Sequence, residues 1–290
     1  MRGKVRLWFA AVVTVALVAS LAMGFTTTTT GGGTTTGGGT TAPTEVVPFK
    51  TATDEIVALQ AGNVDAAVND APVMQYLTKD PSKGLKVIGE APTAELYGFA
   101  VAKDNPALLK AINIGLAKVI DSGEYVRIYK KWFGVEPGST LPSASATAET
   151  TAAVTGKMKL VKAGQLTIGS DTSFPPFESM SGTVAEGFDV DLMTAIAKTM
   201  GINKVVFQTE GFDTLIPSLQ AGKFDAIASG MFITDERKKS VDFSHPYGVA
   251  NQGIAVKADS PIKTIAELAG KKIAVQSGTT GEAWVKENFK

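Results

Sequence analysis

The sequence predicts an α/β protein built as two similar lobes, and three observations carry that prediction. Strand-like and helix-like hydrophobic patterns alternate through two long segments. A short motif recurs, once in each segment. Low-complexity tracts bracket the first segment, leaving globular composition at about 46–136 and about 157–290.

In chain order, LKVIG (85–89) and YGFAVAK (97–103) read as strands, and ALLKAINIGLAKVIDSG (107–123) reads as a helix. Pro106 suits the start of that helix, where a missing N–H is harmless. LTIGS (166–170), KVVFQ (204–208) and KKIAVQSG (271–278) read as further strands, and VDLMTAIAKTMG (190–201) as a second helix. Both helical patterns close on a glycine fit for a left-handed cap. The recurring motif is LQAGNVDA (59–66), which returns as LQAGKFDA (219–226). Each copy combines a helix end, a Gly cap and a buried strand running into a polar tip. The tips are Asn69-Asp70 and Ser229-Gly230. Ligands of open α/β sheets bind beyond the carboxyl ends of strands, so two matching tips imply lobes facing each other across a cleft. Chance recurrence of a common helix-to-strand turn is the competing explanation.

The chain has 290 residues, enough for two modest cores, with 44% hydrophobic and 19% charged residues. Its formal net charge is zero, which gives no electrostatic reason to expect a nucleic-acid partner. Cysteine is absent, which excludes disulfides, thiolate metal sites and a cysteine nucleophile. Arg2, Lys4 and Arg6 precede a mostly apolar run from Leu7 to Phe25, the order of a secretory signal. Ser20 and Ala22 suit a cleavage site, but the run is also long enough to remain as a membrane anchor across roughly 30 Å of hydrocarbon. Residues 26–45 form a Thr/Gly-rich tether, and 137–156 a linker rich in Ser, Thr and Ala.

Five segments carry a family resemblance: SDTSFPPFE (170–178), EGFDVDLMTAIAK (186–198), FDTLIPSLQAGKFDAI (212–227), ITDERKKSVDFSHPY (233–247) and KKIAVQSGTTGEAW (271–284). Together they resemble the bacterial extracellular solute-binding proteins of family 3, receptors for polar amino acids. The resemblance implies a two-lobed type II periplasmic-binding-protein fold with two hinge crossovers, near Ala94–Ala102 and Tyr247–Val256. It also implies that the segment order is circularly permuted, because the family places a segment like 157–290 before one like 46–136. ENFK (287–290) would continue naturally into VVPFK (46–50). One lobe would then hold 96–136 and 157–256, and the other 46–95 and 257–290, with 137–156 joining the family's usual ends. A flexible join of about 20 residues spans roughly 25 Å, so rejoining is physically easy. A fragment of a tandem fusion, folding alone or as a swapped dimer, is the alternative.

The resemblance implies a role for each cleft residue. Arg237 matches the arginine that holds the ligand carboxylate, a task for a planar guanidinium rather than a lysine. The backbone N–H groups of Thr279 and Thr280, at a helix start, add donors for the same carboxylate. Asp70 matches the partner of the ligand ammonium, helped by the Gly230 carbonyl at the Ser229-Gly230 tip. Asp171 matches an aspartate that meets the distal end of polar side chains, although a turn or cap role competes. Phe174 and Phe212 match aromatic walls, or are core residues. Gln276 and Asn69 fall where the family tunes specificity. At Phe232 the sequence departs from the family, which usually has Ser or Thr there to donate a hydroxyl to the zwitterion. That departure puts the generic amino acid assignment in doubt.

The expected function is therefore capture of a glutamine-, arginine-, lysine- or histidine-like amino acid by hinge closure. Delivery would be to the permease subunits of an ABC importer, outside the cytoplasm. No cofactor or metal is expected, and a monomer is expected. The only histidine, His245, sits in FSHPY, where hinge packing is expected, and no nucleophile elbow, Walker loop or H-E-x-x-H motif is present. A cyclohexadienyl dehydratase-like enzyme and a non-transporting sensor on the same fold are the rival readings.

Overall fold

A computed structural model describes residues 42–138 and 157–290. The expected leader, most of the tether and nearly all of the expected linker lie outside the described residues. In chain order the strands are β1 (Glu45–Phe49), β2 (Ala66–Asp70), β3 (Leu85–Tyr97), β4 (Ala100–Ala102), β5 (Gln165–Ser170), β6 (Ser173–Phe174), β7 (Glu178–Ser181), β8 (Val184–Glu186), β9 (Lys204–Thr209), β10 (Ala226–Ile227), β11 (Val241–Phe243), β12 (Gly248–Lys257) and β13 (Lys272–Gln276). The helices are α1 (Ala52–Ala61), α2 (Ala71–Thr78), α3 (Pro106–Asp121), α4 (Glu124–Phe133), α5 (Phe188–Thr199), α6 (Leu215–Gln220), α7 (Asp235–Ser240) and α8 (Thr280–Asn288).

Two five-stranded sheets follow one plan. In the first, ordered β1-β13-β2-β12-β3, the first three strands are parallel and the last two antiparallel to their neighbours. In the second, ordered β11-β4-β10-β5-β9, strands β10, β5 and β9 are parallel while β4 and β11 are antiparallel. Strands β6, β7 and β8 form a small third sheet. The molecule is a two-lobed α/β protein.

The sequence repeat explains why the sheets match. Helix α1 starts at Thr51, whose hydroxyl accepts from Asp54 N at 3.1 Å, and its end turns at Gly62. In the second copy α6 ends before Gly222, which is also left-handed. The repeated aspartate does the same work twice. Asp65 accepts the Lys272 N–H at 2.8 Å, at the start of β13. Asp225 accepts the Thr167 N–H at 2.7 Å on β5, and that of Val161 at 2.6 Å. Each carboxylate thus ties the central parallel strand to the strand entering beside it.

The chain passes between sheets at two places. One is Gly98–Phe99, between β3 and β4; the other is Ser244–Tyr247, between β11 and β12. They run side by side: Ser244 N donates to Phe99 O at 2.8 Å, and Tyr247 N to Tyr97 O at 3.0 Å. The Phe99 and Tyr247 rings stack at 4.3 Å. His245 lies in the second crossover, its backbone N–H bonded to Asn113 Oδ1 at 2.8 Å.

Some sequence expectations are corrected here. Residues 248–256 were expected with 157–247, but β12 lies between β2 and β3 in the first sheet. The reason is the run Gln252–Val256, buried throughout, which fits only an interior strand. The second crossover is therefore at Ser244–Tyr247 rather than Tyr247–Val256. Likewise 96–97 complete β3, which is 13 residues long, instead of opening a strand at 97–103. Gly98 interrupts that run in a place where a Cβ would lie 2.8 Å from the Ile233 side chain. The helix expected over 107–123 is α3, and after Gly123 the chain turns into a second helix, α4.

Candidate functional site

Each polar tip contributes one residue, Asp70 or Gly230, to one cleft. Asp70 ends β2, and Thr279 caps α8, with Thr280 as its first residue, so all three belong to the first sheet's lobe. Gly230 and Phe232 follow β10, Arg237 is on α7, Phe174 on β6 and Phe212 on a 3-10 turn, all on the second sheet's side. These eight candidates line one small cavity. The other four, Asn69, Asp171, Ser229 and Gln276, are buried and do not line it.

Arg237 is positioned by its own helix start and by two carbonyls. The Thr234 hydroxyl accepts the Arg237 N–H at 3.1 Å. Nη1 donates to Phe232 O at 2.7 Å, and Nη2 reaches across the cleft to Gly278 O at 3.0 Å. The guanidinium carbon sits 5.2 Å from the Phe212 ring centre, a cation–π distance. Burial pushes this guanidinium down to about 10, against the attraction of Asp70 and Glu95. Asp70 is 3% exposed, and its Oδ2 accepts the Tyr97 hydroxyl at 2.7 Å. Burial pushes its carboxyl up to about 8, with Tyr97 and Arg237 pulling the other way and Glu95 adding to the rise. A cation arriving beside Asp70 would favour the ionised form.

Phe232, which replaces the expected hydroxyl donor, holds the two charged ends of the site. Its ring stacks on Tyr97 at 4.3 Å and 14°, fixing the phenol that binds Asp70. Its carbonyl fixes Arg237. Two glycines allow the close approach of the cleft walls. Gly230 has φ 48° in space that leaves a Cβ only 2.7 Å from the Phe174 ring, and Gly278 has φ 78° with a Cβ 3.1 Å from Asp213 on the opposite lobe. The Thr279 N–H is drawn back to Gln276 O at 3.4 Å, so at this helix start it is Thr280 that fits the expected backbone-donor role better.

Behind the cavity lies a polar network spanning both lobes. Gln276 Nε2 donates to Asp171 Oδ2 at 2.5 Å and to Lys50 O at 3.0 Å. Asn69 Nδ2 donates to Glu55 Oε1 at 2.8 Å and to Gln276 Oε1 at 3.4 Å. Asp171 N donates to Ser229 Oγ at 2.9 Å, and the Ser229 hydroxyl donates to Glu178 Oε1 at 3.0 Å. Burial pushes Asp171 up to about 6 and Asp189 up to about 7. Asp189 Oδ2 accepts the Gly230 N–H at 2.9 Å and the Tyr247 hydroxyl at 2.7 Å, linking one tip to a crossover.

Sequence reasoning missed Glu55, Tyr97, Glu95 and Asp189. Glutamate in a first helical turn ordinarily faces water, so nothing in TATDEIVAL marks Glu55 as buried. Tyr97 carries a signal in hindsight, since it ends a strand at a crossover.

A second pocket is lined by Tyr97, Tyr125, Tyr129, Phe133, Phe177, Phe188 and Tyr247 among others, and no charged side chain lines it. A zwitterion there would lose water without gaining ionic partners. Among the described residues no group of three or more His, Asp or Glu is placed to hold a metal ion.

The sequence model of bacterial extracellular solute-binding proteins, family 3, matches residues 39–135 and 166–288. ABC transporter arginine-binding protein 1 of Escherichia coli is 39% identical over 126 residues, 43% of this chain and 51% of that protein. A probable histidine-binding protein of Campylobacter jejuni is 43% identical over 122 residues, 42% of this chain and 47% of that protein. A solved ancestral arginine-binding protein bound to arginine is 42% identical, covering 43% of this chain and 55% of that one, with a TM-score of 0.38. The chain thus aligns with about half the length of the curated relatives it matches.

Proposed function

Since the chain belongs to the bacterial extracellular solute-binding proteins, family 3, we propose that it captures a free polar or basic amino acid between its lobes and hands it to the permease subunits of an ABC importer. The observation that carries this proposal is the meeting, round one cavity, of a guanidinium and a carboxylate from opposite lobes. A free amino acid offers the complementary pair, a carboxylate for Arg237 and an ammonium for Asp70. Only closure of the lobes lets one molecule touch both, so binding favours the closed form. Relatives named for arginine and histidine binding support a polar or basic ligand.

The site is proposed to act outside the cytoplasm, in the periplasm or at the outer face of the membrane, by binding rather than catalysis. The segment order is proposed to be a circular permutation of the family's. The pairing of β1 beside β13, from distant parts of the sequence, supports that reading. A thermal-shift panel of the twenty amino acids tests the function. At a hundredfold excess over the dissociation constant, arginine, lysine, histidine or glutamine is expected to raise the midpoint by about 5–10 °C. A panel in which no amino acid moves the midpoint would contradict the proposal.

A further inference from the structure

Resting on that receptor reading, we infer that Gln252, which belongs to neither polar tip, is a positioning residue. Its side-chain amide fixes a donor at one end of the bound amino acid and the acceptors at the other. Gln252 is fully buried within β12, directly opposite Asp70 on β2. Residues so paired in an antiparallel ladder put their side chains on the same face. On the other side of β12 the ladder is broken. Ala91 pairs with Gln252 but Glu95 with Ala250, so β3 carries two extra residues in between. Among them Ala94 takes φ 48°, unfavourable for a residue with a Cβ, and its N–H donates to Asn251 Oδ1 at 3.0 Å. A bulge of this kind re-aims a side chain. Here the side chain delivered is Glu95, whose Oε2 accepts from Gln252 Nε2 at 2.8 Å.

That bond settles which way round the amide lies. A carboxylate only accepts, so the nitrogen of Gln252 faces Glu95 and its oxygen does not. The same nitrogen donates its second N–H to Thr280 Oγ1 at 3.2 Å. The Thr280 hydroxyl is therefore an acceptor toward Gln252, and its own proton has no acceptor among the described residues. Thr280 lines the cavity, so that proton is free for a ligand carboxylate. A hydroxyl donor is what Phe232 withholds, and Thr280 supplies one from the facing lobe. At the ammonium end, burial does most to raise the Asp70 carboxyl, and Gln252 is among the groups that hold it down. One buried amide thus sets donor and acceptor at both ends of the clamp, through two residues that line it.

The test is calorimetric titration of wild type, Gln252→Met, Thr280→Val and the double variant with arginine, lysine, histidine and glutamine. Methionine keeps the length of Gln252 and removes both donors, while valine keeps the shape of Thr280 and removes the hydroxyl. Each single variant is expected to weaken binding about 10- to 100-fold, since a buried polar group is left unpaired. The two losses are not expected to multiply. Because Gln252 acts through Thr280, the double variant should bind at least about threefold more tightly than two independent losses allow. Thr280→Ser, which keeps the hydroxyl, should bind close to wild type. Gln252→Met binding as tightly as wild type, or losses that multiply, would overturn the inference while leaving the receptor reading intact. Failure of wild type to bind any of the four amino acids would sink both. Should Gln252→Met not fold, Thr280→Val against Thr280→Ser decides the matter, since equal affinities would leave Gln252 no donor to position.

Discussion

Arg237→Ala is expected to weaken amino acid binding by roughly two to four orders of magnitude in dissociation constant. Removing one partner of a buried ion pair costs about 3–5 kcal/mol, because the remaining charge is left without compensation. Here the guanidinium has further work. By bonding to Phe232 O on its own lobe and Gly278 O on the other, it ties the walls that would enclose the ligand. The variant leaves both carbonyls short of a donor and the ligand carboxylate dependent on the start of α8. Calorimetric titration reads the loss directly, and an Arg237→Ala variant binding as tightly as wild type would remove the role. Arg237→Lys is expected to recover only part, since an ammonium cannot hold two parallel bonds to a carboxylate.

Asp70→Asn is expected to do two opposite things. It should weaken binding by about 100-fold or more, because a neutral amide cannot balance the buried ligand ammonium. It should also stabilise the ligand-free protein at alkaline pH. The sign follows from the raised carboxyl. Burial pushes Asp70 from an ordinary 3.8 to about 8, so the folded state holds this proton more tightly than the unfolded chain. The stability contributed by that proton is complete below about 4 and is lost as pH rises through about 8. Asp171 and Asp189, pushed up to about 6 and about 7, act in the same direction, as do Glu55 and Glu178. The ligand-free melting midpoint is therefore expected to be higher at pH 5.5 than at pH 8.5, by on the order of 5–10 °C. Asp70→Asn should flatten that fall up to about pH 8. A midpoint that rises from pH 5.5 to 8.5 would mean these carboxyls are ionised in the folded state.

What the sequence made legible, and what it hid, divide along physical lines. Repetition of LQAG-x-x-DA was visible, and its meaning is local: a left-handed turn and an aspartate that ties the next parallel strand, at Asp65 and again at Asp225. Strand tips follow from such turns, so Asp70 and Gly230 could be placed on one cleft before any coordinates. Arg237 needed the family resemblance, because ERKK reads as a solvated run by composition alone. The place of β12 was hidden, since a buried strand shows no alternation to distinguish one sheet from the other. Glu55 was hidden more deeply. Its burial depends on groups more than a hundred residues away in the chain, Asp171 on the facing lobe and, through Asn69, Gln276 on its own. Phe232 looked like a lost hydroxyl, and only the stacked Tyr97 shows how the same position can support the charged pair.

The most direct test of the cleft as a two-ended clamp uses the wild-type protein and the best-binding amino acid of the panel. It is titrated beside its decarboxylated amine and its Nα-acetyl derivative. Each analogue keeps the side chain and removes one charged end. Both are expected to bind at least about 100-fold more weakly than the intact zwitterion, since Arg237 or Asp70 would lose its partner. Equal affinity for either analogue would show that one of the two residues does not hold the ligand.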